Sequence, residues 1–246
     1  RTRDPYNPFP EEMNRRVAGV LATYHFAPTE RAAAALRAEQ VPEGHIYVTG
    51  NTVIDALLWT VKRPVDLDSN VNLDGKRMIL VTAHRRESFG APFESLCRAL
   101  RDVADRNPAV AVVYPVHLNP NVQRPVNSIL GGHPRIHLLR PLEYPRFSHL
   151  MAKAHMILTD SGGIQEEAPA LGKPVLVMRE KTERPEAVES GTALLVGTDR
   201  KQIVRETERL LKDEKAYASM VKAVSPFGDG HAAERIVSIL EKLPIK

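Results

Sequence analysis

A strand that runs straight into two glycines and then a helix is a place where backbone can meet phosphate. Thr159-Asp160-Ser161-Gly162-Gly163 follows the apolar run Met156–Leu158 and leads into a helical stretch at Ile164–Leu171. Glycines allow close backbone approach, and a new helix offers unpaired N–H groups at the positive end of its dipole. Ser161 adds a hydroxyl, and Glu167 stands one turn inside the helix, where its carboxylate could accept two ribose hydroxyls. A plain tight turn with acids at a helix start would give the same pattern.

Two more apolar runs end in polar clusters. Met78–Val81 is followed by Thr82-Ala83-His84-Arg85-Arg86-Glu87-Ser88. Adjacent arginines suit a dianion and the histidine can titrate near neutral pH, although a lone histidine is more often structural. Tyr114-Pro115-Val116-His117-Leu118-Asn119-Pro120-Asn121 closes another strand, and either asparagine could simply cap the next helix. Arg184 follows a further strand and would face the same crevice, unless it forms a surface salt bridge. Glu11 lies apart, at a helix start where an acid also complements the dipole.

Other chemistries lack their signatures. The histidines do not pair with Cys or acids at metal-ligand spacing and there is no HExxH, so no metal is expected. No GxGxxG follows a strand and no GxxxxGK[ST] loop exists, which argues against a dinucleotide cofactor and a P-loop nucleotidase. No cofactor is expected.

Alternating strands and helices must place these clusters. From Arg77 onward the sequence predicts strands at Met78–Thr82, Ala109–Val116, Ile136–Leu139, Met156–Thr159, Pro174–Met178 and Ala193–Val196. Helices are predicted at Pro92–Arg106, Asn121–Leu130, Tyr144–Ala154, Ile164–Leu171, Glu183–Glu189, Asp199–Leu211, Lys215–Ala223 and His231–Leu243. Near-continuous apolar strands between helices mean a doubly wound parallel α/β sheet, with ligands beyond the carboxyl ends of its strands. Residues 1–62 read as helix, helix (Glu30–Glu39, capped by Thr29), strand (Ile46–Thr49) and helix (Thr52–Val61). Residues 63–76, polar and without period, are the expected linker.

With 43% hydrophobic and 26% charged residues in 246, the chain is neither disordered nor fibrous. Its +4 charge is interleaved, which fits a solvated surface rather than nucleic-acid binding. The single cysteine, Cys97, excludes an internal disulfide and sits in a helical apolar pattern as a packed thiol. No apolar run is long enough for a membrane span. The opening residues are charged and proline-rich, unlike a secretory leader, and the absence of an initiating Met is expected of a truncated or processed chain.

The segments PFPEEMNR, HFAPTE, VTGNTVIDAL, TAHRRESFG, YPVHLNPNV, LTDSGGIQEEAPALGKPVL and TERPEAVESGT, with Pro226-Phe227-Gly228-Asp229-Gly230, span the whole chain. Together they resemble the non-hydrolysing UDP-N-acetylglucosamine 2-epimerases. The resemblance implies a GT-B-like fold of two Rossmann-like doubly wound domains, the first incomplete here. It divides the chain into residues 1–62 (rest of the N-terminal domain), 63–76 (linker), 77–226 (UDP-binding domain) and 227–246 (a helix returning to the N-terminal domain). It implies a cytoplasmic homodimer acting on UDP-N-acetylglucosamine and UDP, with no nucleic-acid or membrane partner. By the same resemblance Ser161, Gly162 and Gly163 match the diphosphate cradle, and Glu167 the ribose ligand. Arg184 matches another nucleotide contact, and the backbone of Phe147 the uracil reader. His84 and Glu11 match catalytic positions, while Arg85 and His117 match a neighbouring regulatory or substrate site. Further catalytic acids of the family would lie upstream of Arg1. A hydrolysing epimerase, a glycosyltransferase and a UDP-binding fragment without turnover share enough of these features to stand as alternatives.

Overall fold

The computed structural model describes residues 1–6, 9–66 and 73–243, so residues 67–72 of the expected linker lie outside the described residues. The first part of the chain comprises α1 (Glu11–Leu21), β1 (His25–Ala27), α2 (Glu30–Ala38), β2 (Ile46–Val48) and α3 (Thr52–Val61). β1 and β2 pair in parallel, with α2 packed on them through Ala33 and Leu36. Thr29 caps α2 as expected, its hydroxyl accepting the Ala32 N–H at 3.1 Å. β1 was not expected, because three residues reading His-Phe-Ala show no alternation.

The second part is larger. It contains β3 (Arg77–Thr82), α4 (Ala91–Arg106), β4 (Val110–Pro115), α5 (Pro120–Leu130), β5 (Ile136–Leu139) and α6 (Tyr144–Lys153). It continues through β6 (Met156–Thr159), α7 (Gly162–Ala170), β7 (Val175–Val177), α8 (Pro185–Glu189), β8 (Ala193–Leu195), α9 (Arg200–Lys212) and α10 (Glu214–Lys222). The six strands form one parallel sheet in the order β5-β4-β3-β6-β7-β8.

Both faces of that sheet are covered, which is why its strands are apolar throughout. Successive side chains point to opposite faces. Ile79 and Val81 join the cluster under α4, whose Phe93, Leu96, Cys97, Leu100, Val103 and Ala104 form one buried stripe. Met78 and Leu80 join the opposite cluster with Met151, Ile164 and Ala168. That cluster also takes Ile54 and Leu57, so α3, although it belongs to the first part of the sequence, packs on α6 and α7 of the second. Cys97 is fully buried, and burial pushes its thiol up to about 12.

The chain ends with α11 (Ala232–Leu240), which returns to α3. The Asp55 carboxylate of α3 accepts the N–H groups of Ala232 (3.2 Å) and Ala233 (2.8 Å), capping α11. Just before it, Phe227 O accepts the Asn51 N–H at 2.7 Å. Here two backbones touch at glycines: a Cβ on Gly50, whose φ is +87°, would lie 3.2 Å from Gly228 Cα.

Candidate functional site

The sheet order places the first polar cluster beside the second. Chain order moves outward from β3 through β4 to β5, then returns to β6 on the other side of β3. The gap between the carboxyl ends of β3 and β6 is therefore the topological switch point, where open α/β sheets bind ligands. Thr82 and Thr159 are register partners there, and their hydroxyls are 2.6 Å apart. The Thr159 hydroxyl oxygen also accepts the Ser161 N–H at 2.9 Å, which sets the turn into α7.

At the start of α7, Ser161 is the N-cap residue, yet its side chain makes no capping bond. Gly162 faces two cations. A Cβ there would meet Arg85 Nη2 at 3.8 Å and Arg184 Cζ and Nη2 at 3.9 Å. A Cβ on Gly163 would meet Glu167 Oε1 at 3.7 Å and Ser161 Oγ at 3.9 Å. Ser161, Gly162, Gly163, Glu167, Arg85 and Arg184 thus share one small region.

The two arginines differ in state. Arg184 donates through Nε to Glu166, a buried carboxylate that also accepts from Asn51 Nδ2 in the first part of the chain. The salt-bridge reading of Arg184 is thereby met, in a half-buried setting beside the glycines. The Arg85 side chain makes no hydrogen bond or ion pair among the described residues. Its loop is fixed from below: the fully buried Asp160 accepts the N–H groups of His84 and Arg85 through Oδ2, both at 2.7 Å. Nearby, Arg179 is 6% exposed and donates to Glu87 and Glu183, tying the β3 and β7 loops together. The same Arg179 guanidinium holds the Glu183 carboxyl down at about 2.

His84 stacks on His117, with centroids 5.2 Å apart and planes at 13°. The third polar cluster therefore reaches the same mouth. His117 Nδ1 accepts the Asn119 N–H at 3.1 Å, while Asn119 Oδ1 accepts the Asn121 N–H at 2.9 Å and caps α5. The capping role foreseen for an asparagine falls to Asn119.

Glu167 is buried, and its Oε2 accepts the Tyr144 hydroxyl at 2.8 Å. Burial first, and then the charge of Glu166, raise the Glu167 carboxyl, with the Tyr144 bond opposing them. Phe147 is partly buried on α6, and its N–H donates to Glu143 O at 2.9 Å. Glu11 is exposed at the start of α1, and no hydrogen bond or ion pair joins it to the crevice among the described residues.

Three participants escaped sequence reasoning. Asp160 was quoted within its cluster but given no role, although an acid directly after an apolar strand is the available signal. Glu166 stands beside Glu167, and two adjacent acids in an otherwise apolar helix are a comparable signal. Tyr144 carries no local signal, because its role depends on how α6 meets α7. Among the described residues no group of three or more His, Cys, Asp or Glu could hold a metal ion. No described helix is long and apolar enough to cross a membrane.

Comparison with known proteins bears on this arrangement. The family model for UDP-N-acetylglucosamine 2-epimerase matches residues 1–241. A UDP-N-acetylglucosamine 2-epimerase of Yersinia pestis is 58% identical over 98% of this chain and 66% of its own length. The chain thus spans just under two thirds of that relative. A crystal structure of the Neisseria meningitidis UDP-GlcNAc 2-epimerase bound to UDP-GlcNAc superposes with a TM-score of 0.88 at 42% identity, covering 99% of this chain and 68% of that one. A Staphylococcus aureus MnaA–UDP co-structure gives 0.89 at 46% identity, covering 98% and 66%. The fold is α/β of the GT-B kind, and the chain belongs to the UDP-N-acetylglucosamine 2-epimerase family.

Proposed function

We propose that the protein interconverts UDP-N-acetylglucosamine and UDP-N-acetylmannosamine by eliminating UDP and adding it back. The observation that carries this reading is the meeting of Arg85 and Arg184 over Gly162 at the start of α7, beside His84, at the switch point of the sheet. That arrangement suits a leaving diphosphate. The UDP-GlcNAc bound by the Neisseria meningitidis relative supplies the sugar.

The hydrogen on carbon 2 is not next to a carbonyl, so a base alone cannot remove it at a useful rate. Breaking the anomeric C–O bond first sends its electron pair to UDP and leaves an oxocarbenium-like carbon 1. The neighbouring C–H bond is then acidic. Its proton goes to a base and its electrons form the double bond of 2-acetamidoglucal. In the return step a proton arrives on the opposite face of carbon 2 and a diphosphate oxygen adds to carbon 1. The protein must stabilise the departing charge and hold acid–base groups on both faces.

In this reading the N–H groups of Gly162 and Gly163, the Ser161 hydroxyl, Arg184 and Arg85 receive the diphosphate. His84 acts on the diphosphate side as charge partner or proton donor. Glu167 takes the ribose through Oε1, the oxygen that Tyr144 does not occupy. Phe147 contributes the uracil contact through its backbone. His117, stacked on His84, takes the substrate or regulatory role. Glu11 handles the proton or stabilises the oxocarbenium from across the cleft. It needs the two parts of the chain to close, which also keeps water from the glucal. The protein is read as non-hydrolysing, cytoplasmic and homodimeric, and as feeding cell-surface polysaccharide synthesis.

Proton NMR with UDP-N-acetylglucosamine in heavy water tests the proposal, on this chain and on a protein of the relatives' full length. Deuterium at carbon 2 together with UDP-N-acetylmannosamine is the expected result. Free N-acetylmannosamine would make it a hydrolysing enzyme. Saturation transfer to the uridine protons without exchange in either protein would reduce it to a nucleotide binder.

A further inference from the structure

We propose that Asp160 is a positioning residue that decides which ring nitrogen of His84 carries the proton. The inference rests on the reading of His84 as an acid–base group at the diphosphate.

Asp160 is fully buried at the end of β6, and its two oxygens have different surroundings. Oδ2 accepts two backbone N–H groups, those of His84 and Arg85, each at 2.7 Å. Oδ1 is also buried and has no hydrogen-bond partner among the described residues. His84 Nδ1 lies 3.7 Å from it. That separation is too long for a hydrogen bond, but a shift of under about 1 Å would make one. The ring can supply it: the His84 side chain is 42% exposed and lies flat against His117 rather than being locked in the core. The carboxylate cannot swing away instead, because Oδ2 is held by two donors. The backbone that bears them is itself pinned, since the Tyr114 hydroxyl donates to Ala83 O at 2.5 Å.

The consequence follows from donor and acceptor types. An ionised carboxylate only accepts, so the nitrogen that faces it must carry hydrogen. His84 is thereby held as the Nδ1–H tautomer, with Nε2 as the nitrogen left to exchange a proton with a ligand. A buried orphan acceptor would otherwise be a cost without return. The same geometry explains why a carboxylate, rather than an amide, stands there. In D160N the amide oxygen is the only acceptor available for the two backbone N–H groups. The NH2 group must then turn toward His84 Nδ1, which has to accept, and the ring is forced to the Nε2–H tautomer.

The test is two-dimensional long-range proton–nitrogen NMR on the histidine-labelled full chain at a pH where imidazole is neutral, with the His84 signals assigned from a His84→Gln sample. The wild-type protein should show Nδ1–H, against the Nε2–H preference of a free imidazole, and D160N should show Nε2–H. Wild-type Nε2–H, or an unchanged tautomer in D160N, would overturn the proposal. The wild-type spectrum decides it even if D160N fails to fold. In a protein of the relatives' full length, D160N should lower kcat by about 100-fold or more while UDP affinity stays within about threefold. The tautomer readout needs no turnover. A wild type that never epimerises would sink the functional reading while leaving the assignment of the proton to be judged by the spectra alone.

Discussion

Gly162→Ala separates ligand binding from folding. The added methyl would sit 3.8 Å from Arg85 Nη2 and 3.9 Å from Arg184 Nη2, in ordinary van der Waals contact. Nothing in the protein has to move, and alanine in a helix is favoured over glycine by up to about 1 kcal/mol. The folded state should therefore be as stable as before or slightly more so. A phosphate oxygen shared by the two guanidinium groups must lie about 2.8 Å from each. That volume is the one the methyl occupies. Losing one or two charge-assisted bonds at about 1.5–3 kcal/mol each removes about 1.5–6 kcal/mol, or roughly 10- to 20,000-fold in Kd. Titration calorimetry with UDP, paired with a thermal melt, measures both halves. A variant that melts at or above the wild-type temperature and still binds UDP within about threefold would refute the placement of the diphosphate.

Other perturbations address the surroundings. Arg85→Ala should weaken UDP binding by about tenfold or more at unchanged stability, since the Arg85 side chain makes no hydrogen bond or ion pair among the described residues; a tightened or unchanged Kd would remove Arg85 from the cradle. Glu166→Ala breaks a buried link to Arg184 and Asn51 and should cost about 1–3 kcal/mol in urea unfolding, less than a fully buried pair because Arg184 is 35% exposed. A loss below about 0.5 kcal/mol would show that the link is slack. His155 stacks on Tyr217 at 4.3 Å, and burial, then Arg77 and Lys173, bring it from 6.5 down to about 4. Its unfolded form binds more protons between those values, so stability is full above about pH 6.5 and is lost as pH falls toward 4. The full linkage is roughly 3 kcal/mol, which partial solvent access reduces to about 1–2 kcal/mol. His155→Phe should flatten unfolding free energy between pH 7 and 4 by that amount, and an unaltered slope would contradict it.

The sheet of the second part was legible because its signal is local. A strand covered on both faces is apolar throughout, and β5 (Ile136–Leu139) and β6 (Met156–Thr159) were found to the residue. α8 begins at Pro185 rather than Glu183, because Thr182 donates to Gln165 at 2.6 Å and accepts the Arg184 N–H at 3.0 Å, holding the chain out of the helix. Among the site residues, the glycines and arginines announced themselves by type and spacing. Asp160 and Glu166 did not, since their partners lie 76 and 115 positions away in sequence. No local pattern encodes a carboxylate that serves a distant N–H. Glu11 was named through resemblance, and its side chain has no contact that links it to the crevice among the described residues.

The charges at the mouth of the sheet support the proposed reading of a diphosphate site. Asp160 is spent on two backbone donors, and Glu166 on Arg184 and Asn51. Glu167 gives one oxygen to Tyr144. Each acid near α7 therefore already has work in the protein. The Arg85 guanidinium makes no hydrogen bond or ion pair among the described residues, so a cation faces Gly162 although acids surround it. A dianion is the ligand that balances this without displacing a structural bond. Arg184 is the member shared between the two jobs, because it touches the glycine and also holds the acid that reaches Asn51 in the first part of the chain. A diphosphate that draws on Arg184 must weaken its hold on Glu166, and so must alter the tie between the two parts. In the proposed reading, diphosphate binding and the tie between the two parts are coupled through one guanidinium, which is a reason for an arginine with several donors, rather than a lysine, at this position.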